Sequence, residues 1–102
     1  MIRTTPSAGL AIALAISTPL AASDLNSGAN IYRMHCAQCH GVNGRSVMAG
    51  APDFDRPDSL LKPDDSLLSR IQSGKNACPA YRGILSEQKI FDVIAFIRTL
   101  GI

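Results

Sequence analysis

The stretch Cys36-Ala37-Gln38-Cys39-His40 carries the most structural information in this chain of 102 residues. A C-x-x-C-H sequence is typical of covalent haem attachment, in which the two thiols bond to the haem and the imidazole binds its iron. Zinc is the main alternative for paired cysteines, but it needs a second pair of ligands. Outside this stretch the chain has only one further cysteine, Cys78, and one further histidine, His35. A thioredoxin-like redox pair would need a βαβ pattern, which the sequence lacks. The motif therefore predicts one covalently bound haem.

The first 22 residues have the organisation of a secretory signal peptide. Arg3 provides a basic start, residues 8–17 are apolar and uncharged, and small residues around Ala22 and Ser23 offer a cleavage site. The apolar run is too short to span a bilayer, although a retained membrane anchor is the alternative if cleavage fails. We therefore expect a signal peptide over residues 1–22, a soluble periplasmic protein, and no membrane span after cleavage.

Residues 23–102 are expected to form a single domain of about 80 residues, which is marginal for a hydrophobic core by itself. A covalently held haem would supply a large apolar surface around which short helices can pack. Removing Arg3 from the ten basic side chains leaves nine, against eight acidic ones. Because these charges are scattered along the chain, they argue against a surface for nucleic acid or an anionic membrane.

Helical periodicity predicts an all-α fold with three main helices. The first should span about residues 27–35, with Asn26 or Ser27 as its N-cap. The second should begin after Pro63, where Asp64 and Asp65 suit a helix start both as caps and by their charge, and it should stop at Gly74.

The third helix has the clearest pattern. Ser86 should cap it and Gly101 should end it. Its expected apolar face consists of Ile90, Phe91, Val93, Ile94 and Ile97. Residues 41–62 are rich in Gly and Pro, so they should form a loop. A loop of that length in so small a domain is explained if it wraps a haem edge.

The sequence resembles class I c-type cytochromes over essentially all of residues 23–102. In that family a glycine and an aromatic residue precede the first haem cysteine by eight and four residues, and Gly28 and Tyr32 stand at those positions. The resemblance implies a close crossing of the first and last helices at Gly28, with Phe96 packed there. It also implies that a carbonyl at Pro52 orients the ring of His40.

From the same resemblance we expect a small cytochrome c fold, with three main helices around one haem c. Cys36 and Cys39 would form the covalent thioethers, and His40 would be the proximal iron ligand. The resemblance further implies an electron carrier rather than an enzyme, working with redox partner proteins.

One position departs from the family pattern. The second axial ligand of the family is a methionine in a stretch like Gly-Lys-x-x-Met-Pro-x-aromatic, whereas this chain reads Gly74-Lys75-Asn76-Ala77-Cys78-Pro79-Ala80-Tyr81. The resemblance therefore implies that Cys78 is the distal iron ligand. A thiolate ligand would donate charge to the iron and lower the reduction potential.

Two alternatives for Cys78 remain open. It would be a small buried side chain if Met48 or Met34 bound the iron, although Met34 lies too close to Cys36 to reach the opposite face. As the odd thiol in an exported protein, it would also suit a disulfide with another subunit. His35 is expected to be a solvated or helix-terminal residue rather than a ligand.

The leading function is electron transfer by a periplasmic monohaem cytochrome of low reduction potential, alone or in a homodimer or a heterodimer with a second cytochrome. If Cys78 leaves the iron on reduction, the alternative is NO or CO binding or sensing. The third hypothesis is redox chemistry of sulfur compounds at Cys78, for which Lys75 and Arg82 would supply positive charge. No serine–histidine–aspartate set or pair of carboxylates indicates another catalytic site.

Overall fold

The computed structural model describes residues 22–102, together with Thr4 and Gly9. The expected signal peptide therefore lies outside the described residues, except for these two positions and Ala22. Within the described part of the chain, no helix is both long and apolar enough to cross a membrane.

The fold is built from helices joined by loops. In chain order they are α1 (Leu25–His35), α2 (Ala37–His40), a 3₁₀ helix (Pro57–Leu60), α3 (Asp64–Ser73) and α4 (Glu87–Thr99). The three main helices predicted from periodicity are α1, α3 and α4, so that prediction is confirmed. The single-turn helix α2 was not predicted, because four residues are too few to show a helical period.

The start of α1 differs from the prediction. The N-cap is Asp24, whose carboxylate accepts hydrogen bonds from the backbone N–H groups of Asn26 at 2.9 Å and Ser27 at 3.1 Å. Asn26 and Ser27 thus lie inside the first turn, and the assignment of either as the cap was wrong. An aspartate is an equally good cap, and nothing in the local sequence distinguished the three candidates.

The other two main helices begin where expected, but Pro63 occupies the N-cap position of α3, so the expected capping by Asp64 or Asp65 was wrong. Asp64 and Asp65 lie in the first turn of α3, where their charge opposes the positive end of the helix dipole, and Gly74 follows its end. The Ser86 hydroxyl caps α4 by accepting a hydrogen bond from the N–H of Lys89 at 3.2 Å. The helix ends at Thr99, two residues before the predicted Gly101.

The core is centred on the crossing of α1 and α4. Its largest fully buried side chains are Tyr32, Ile90, Val93 and Ile94. Phe91 is only half-buried, because a residue next to Ile90 points about 100° away around the helix. The predicted apolar face was therefore wrong at that one position.

Gly28 allows this crossing to be close. A Cβ atom at Gly28 would overlap the carbonyl oxygen of Asp92 and lie 2.7 Å from its carbonyl carbon. The same atom would lie 3.0 Å from the Cβ of Phe96, and the Phe96 ring packs against Tyr32 with centroids 5.3 Å apart. The expected roles of Gly28, Tyr32 and Phe96 at the crossing are thus confirmed.

Candidate haem site

A cavity of about 890 Å³ lies between α1–α2, the 41–62 loop, α3, the turn that follows α3, and α4. This volume is near the top of the range of about 300–1,000 Å³ that is usual for small-molecule and cofactor sites. The residues with metal-binding or nucleophilic side chains that line it are His35, Cys36, Cys39, His40, Met48 and Cys78. Its apolar lining includes Phe54, Leu60, Leu67, Ile71, Leu85, Val93, Ile94 and Ile97.

The ring of His40 is held in one orientation. Its Nδ1 donates a hydrogen bond to the carbonyl oxygen of Pro52 at 3.0 Å, and this bond requires the tautomer in which Nε2 is free to bind a metal. The ring also stacks on Phe54, with centroids 4.1 Å apart and planes inclined by 14°. The contact that the resemblance implied for Pro52 is therefore present.

The loop after α2 is tied to the second cysteine of the motif. The carbonyl oxygen of Cys39 accepts hydrogen bonds from the N–H of Val47 at 3.0 Å and from the hydroxyl of Ser46 at 3.3 Å. The buried Tyr32 hydroxyl donates to the carbonyl of Gly41 at 2.6 Å. These bonds hold the loop that carries Met48 against the haem-binding motif.

The three cysteines surround the cavity as free thiols. Burial, together with smaller contributions from the nearby thiols of Cys78 and Cys39, raises the pKa of Cys36 to about 12. Before a haem is attached, Cys36 is therefore a neutral thiol at neutral pH. The segment between α3 and α4 brings Cys78 to the same cavity as Cys36 and Cys39.

Cys78 lies on a tight turn. The N–H of Lys75 donates to the carbonyl of Cys78 at 3.0 Å, and the N–H of Cys78 donates back to the carbonyl of Lys75 at 2.9 Å. Between them, Asn76 has a φ of 53°, a left-handed conformation that asparagine tolerates better than most residues. This pair of bonds fixes the backbone at Cys78.

Gly74 and the end of α3 hold this turn in place. Gly74 has a φ of 69°, and a Cβ atom there would lie 2.7 Å from the carbonyl oxygen of Cys78 and 2.8 Å from the nitrogen of Ala80. After the turn, the N–H of Tyr81 donates to the carbonyl of Ile71 at 3.0 Å. The segment that carries Cys78 is therefore anchored on both sides.

His35 and Tyr81 make a contact that the sequence did not reveal. The Tyr81 hydroxyl donates to the carbonyl of His35 at 3.1 Å, and the two rings meet edge to face with centroids 5.4 Å apart. Burial raises the pKa of Tyr81, with further contributions from Cys36, Cys78 and Cys39. His35 ends α1 as expected, but it is half-buried against Tyr81 rather than solvated.

Comparison with known proteins identifies the family. Residues 23–97 match the family model described as cytochrome c oxidase, cbb3-type, subunit III. The chain is 38% identical over 94 residues to cytochrome c6 of Thermosynechococcus vestitus, which covers 86% of this chain and 82% of that protein. It is also 32% identical over 86 residues to cytochrome c6 of a Nostoc species, which covers 81% of this chain and 77% of the relative. The chain belongs to the c-type cytochromes.

Comparison of the fold with solved structures leads to the same family. The structure of cytochrome c6 from the diatom Phaeodactylum tricornutum superposes on this cytochrome with a TM-score of 0.64 at 29% identity, and covers 78% of this chain and 95% of that one. The small all-α cytochrome c fold, the single covalently attached haem c and the role as an electron carrier rather than an enzyme are thereby confirmed.

The side chains around the cavity of this cytochrome fit a haem. The apolar side chains suit the flat haem ring. The two neighbouring thiols suit covalent attachment, and the oriented imidazole suits binding of the iron. Cationic side chains suit the two haem carboxylates. The cationic lining consists of Lys62, Arg70 and Lys75, and no carboxylate side chain lines the cavity. None of the three forms a salt bridge within residues 22–102.

Arg70 differs from the other arginines of the described region. Arg33, Arg45, Arg56, Arg82 and Arg98 each donate a side-chain hydrogen bond to a protein acceptor. Within residues 22–102 Arg70 donates none, so its guanidinium remains available for a haem carboxylate.

The structure also bears on the alternatives for the second ligand. Met34 is 73% exposed and does not line the cavity. Met48 does line it, but it follows His40 by only eight residues, on a loop whose Val47 N–H is bonded to the carbonyl of Cys39. Arg82 donates to the side-chain oxygen of Gln72 at 3.3 Å and is not part of the cavity lining. Of the two cations expected around Cys78, only Lys75 is in place.

Proposed function

We propose that this cytochrome is an exported monohaem electron carrier of low reduction potential, with iron ligated by His40 and Cys78. Cys36 and Cys39 form the thioethers to the haem. Residues 1–22 are a signal peptide that is removed on export to the periplasm. When bound, the haem supplies one-electron exchange at its iron.

One observation carries the assignment of Cys78. Its thiol lines the same cavity as Cys39 and His40, on a turn whose backbone is fixed by reciprocal hydrogen bonds with Lys75. Because Met34 does not line the cavity and Met48 follows His40 by only eight residues, on a loop bonded to Cys39, Cys78 is the better candidate for the opposite face.

The properties of a thiolate determine the expected potential. A metal lowers the pKa of a coordinating thiol, so Cys78 would bind as the anion. An anionic sulfur donates more charge to the iron than a thioether does, and it therefore favours the oxidised form. The consequence is a reduction potential below that of a cytochrome with histidine and methionine ligands.

The apolar surface beside the motif suits brief contact with redox partner proteins. Val42 and Val47 are each 73% exposed, and Met48, also exposed, reaches the cavity itself. A small apolar contact of this kind supports the weak, short-lived association that electron exchange requires.

Low-temperature EPR of the oxidised protein, with optical spectra before and after dithionite, tests the ligand assignment. We expect a low-spin signal with a narrow spread of g values, typical of thiolate ligation. A wide spread with the red-region band of methionine ligation would exclude Cys78 as the ligand. If the optical spectrum of the reduced protein were that of a five-coordinate haem and CO then bound, gas binding would become the better explanation of the same site.

A further inference from the structure

Asp92 is the one charged side chain that is buried within residues 22–102, with 5% of its surface exposed. Its Oδ1 accepts a hydrogen bond from the backbone nitrogen of Asp24 at 2.9 Å and another from the Gln88 side-chain amide at 3.0 Å. Burial by itself would raise the pKa of Asp92, but these hydrogen bonds, together with one from the Ser27 side chain, outweigh it and the pKa is lowered. The buried carboxylate is therefore ionised at neutral pH.

This buried charge lacks a cationic partner in the described part of the chain. The salt bridges there join Arg45 to Asp55, Arg56 to Asp58 and Arg98 to Asp64. Buried carboxylates are normally paired with a cation, because their desolvation is costly. The donors to Asp92 are all neutral groups, so they stabilise its carboxylate by hydrogen bonding but do not compensate its charge.

The nearest donor to Asp92 is also beside the expected cleavage site. Ala22, Ser23 and Asp24 are exposed and precede α1, and Asp24 is extended with φ −99° and ψ 110°. A peptidase has access to such a segment. The nitrogen that donates to Asp92 is therefore the first backbone nitrogen of a chain cut after Ser23, and the second of a chain cut after Ala22.

We propose that removal of the leader creates the missing cation, an α-ammonium group that pairs with the buried Asp92 carboxylate. Water hydrolyses the peptide bond before Ser23 or Asp24, the new carboxyl group leaves with the leader, and the new amine takes up a proton. A cut after Ser23 puts the ammonium on the nitrogen already bonded to Asp92. A cut after Ala22 puts it one residue, about 3.8 Å of chain, further away. This inference rests on the proposed export.

The pair joins the start of α1 to α4. The Asp24 carboxylate, which caps α1, also offsets the repulsion between the new ammonium and the positive end of the α1 dipole. In the uncut chain the same position carries only a neutral amide N–H. Processing would therefore strengthen the helix crossing that positions the haem motif.

Chemical modification of the purified haem-loaded protein tests the ion pair without any substitution. The N-terminus is first located by intact mass, and the expected first residue is Ser23 or Asp24. Selective N-terminal acetylation removes the charge, whereas dimethylation keeps it. Acetylation should increase the unfolding equilibrium constant by about tenfold, the scale of one charge-assisted hydrogen bond, and dimethylation should leave it nearly unchanged.

Repeating the comparison in Asp92→Asn identifies the partner of the ammonium. Acetylation should have no effect on the unfolding equilibrium of this variant, because the charge it would pair with is absent. Equal effects of acetylation in both proteins, no effect in either, or a mature N-terminus at another residue would overturn the inference. None of these readouts depends on the iron ligands, so the test is independent of the EPR experiment on Cys78.

Discussion

Cys78 is the residue that distinguishes this cytochrome from the pattern of its family. The surrounding turn contains Gly74, Asn76 and Pro79, and the backbone bonds that fix it do not depend on the side chain at position 78. A change of this one side chain should therefore alter the ligand while the turn stays as it is.

Cys78→Met is expected to raise the reduction potential by on the order of 0.2 V, within the span of about 0.8 V that axial ligands cover. A neutral thioether donates less charge than a thiolate and stabilises the reduced iron. Protein-film voltammetry or a spectroscopic redox titration measures the change. Met48→Leu is the matched control and should leave the potential almost unaltered. A large shift in the control, with none in Cys78→Met, would assign the ligand to Met48.

Asp92 leads to a prediction about how the stability of the fold depends on pH. Its pKa is lowered in the folded state, so the stabilisation it provides is present above the unfolded value of about 3.9 and is lost as the pH falls through the folded pKa. Asp92→Asn should therefore unfold more easily at pH 7, by about 1–3 kcal/mol. The difference from the original protein should shrink below about pH 4. Denaturant titrations at several pH values measure it, and a difference that grew towards acid pH would contradict this role.

At the scale of secondary-structure elements, the crossing of α1 and α4 depends on Gly28. In Gly28→Ala the new methyl group would meet the backbone of Asp92, so the helices must separate. We expect a loss of about 2–3 kcal/mol in the free energy of unfolding, although alanine favours a helix by about 1 kcal/mol over glycine. Asn30→Ala, on the exposed face of α1, is the control for measurements in denaturant. Equal stability of Gly28→Ala and the original protein would show that the crossing tolerates a side chain.

The turn after α3 can be tested with two glycines of similar conformation. Gly74 has a φ of 69° and Gly83 a φ of 82°, but a Cβ atom at Gly83 would have nothing within 4 Å. Both alanine variants carry backbone strain, whereas only Gly74→Ala also forces the Cys78 turn to move. We expect the thiolate EPR signal to be lost or broadened in Gly74→Ala and retained in Gly83→Ala. The same spectrum in both variants would mean that the turn does not position the ligand.

At the scale of the whole molecule, the haem cavity is large relative to the hydrophobic core. An apolar cavity of about 890 Å³ in a domain this small cannot remain open without its cofactor, since too little other apolar surface is buried. A Cys36→Ser/Cys39→Ser variant, which cannot form the thioethers, should lose most of its helical signal. Far-UV circular dichroism measures this loss, with Cys78→Ser as a control that keeps the attachment. A fully helical, cooperatively unfolding attachment-deficient protein would contradict it.

Local sequence was sufficient for the features that depend on a few neighbouring residues. The spacing of Cys36, Cys39 and His40 predicted the covalent haem c, and helical periodicity predicted the three main helices. These features are encoded locally, because a motif of five residues or a repeat of 3.6 residues needs no distant partner. The cap of α1 was predicted wrongly because three neighbouring residues could each serve as an N-cap. The burial of Phe91 was predicted wrongly because its position next to Ile90 turns it away from the core.

Contacts between distant parts of the chain were decided by the tertiary structure alone. Tyr81 and His35 are 46 residues apart, and Asp24 and Asp92 are 68 apart, so no local pattern relates them. The sequence by itself determined that this protein binds a covalent haem between helices and carries a cysteine at an unusual position. The tertiary structure decided that Cys78 lines the same cavity as His40, and that the buried Asp92 carboxylate meets the start of α1. The physical reason is that packing of whole helices, rather than the preference of any single residue, brings those groups together.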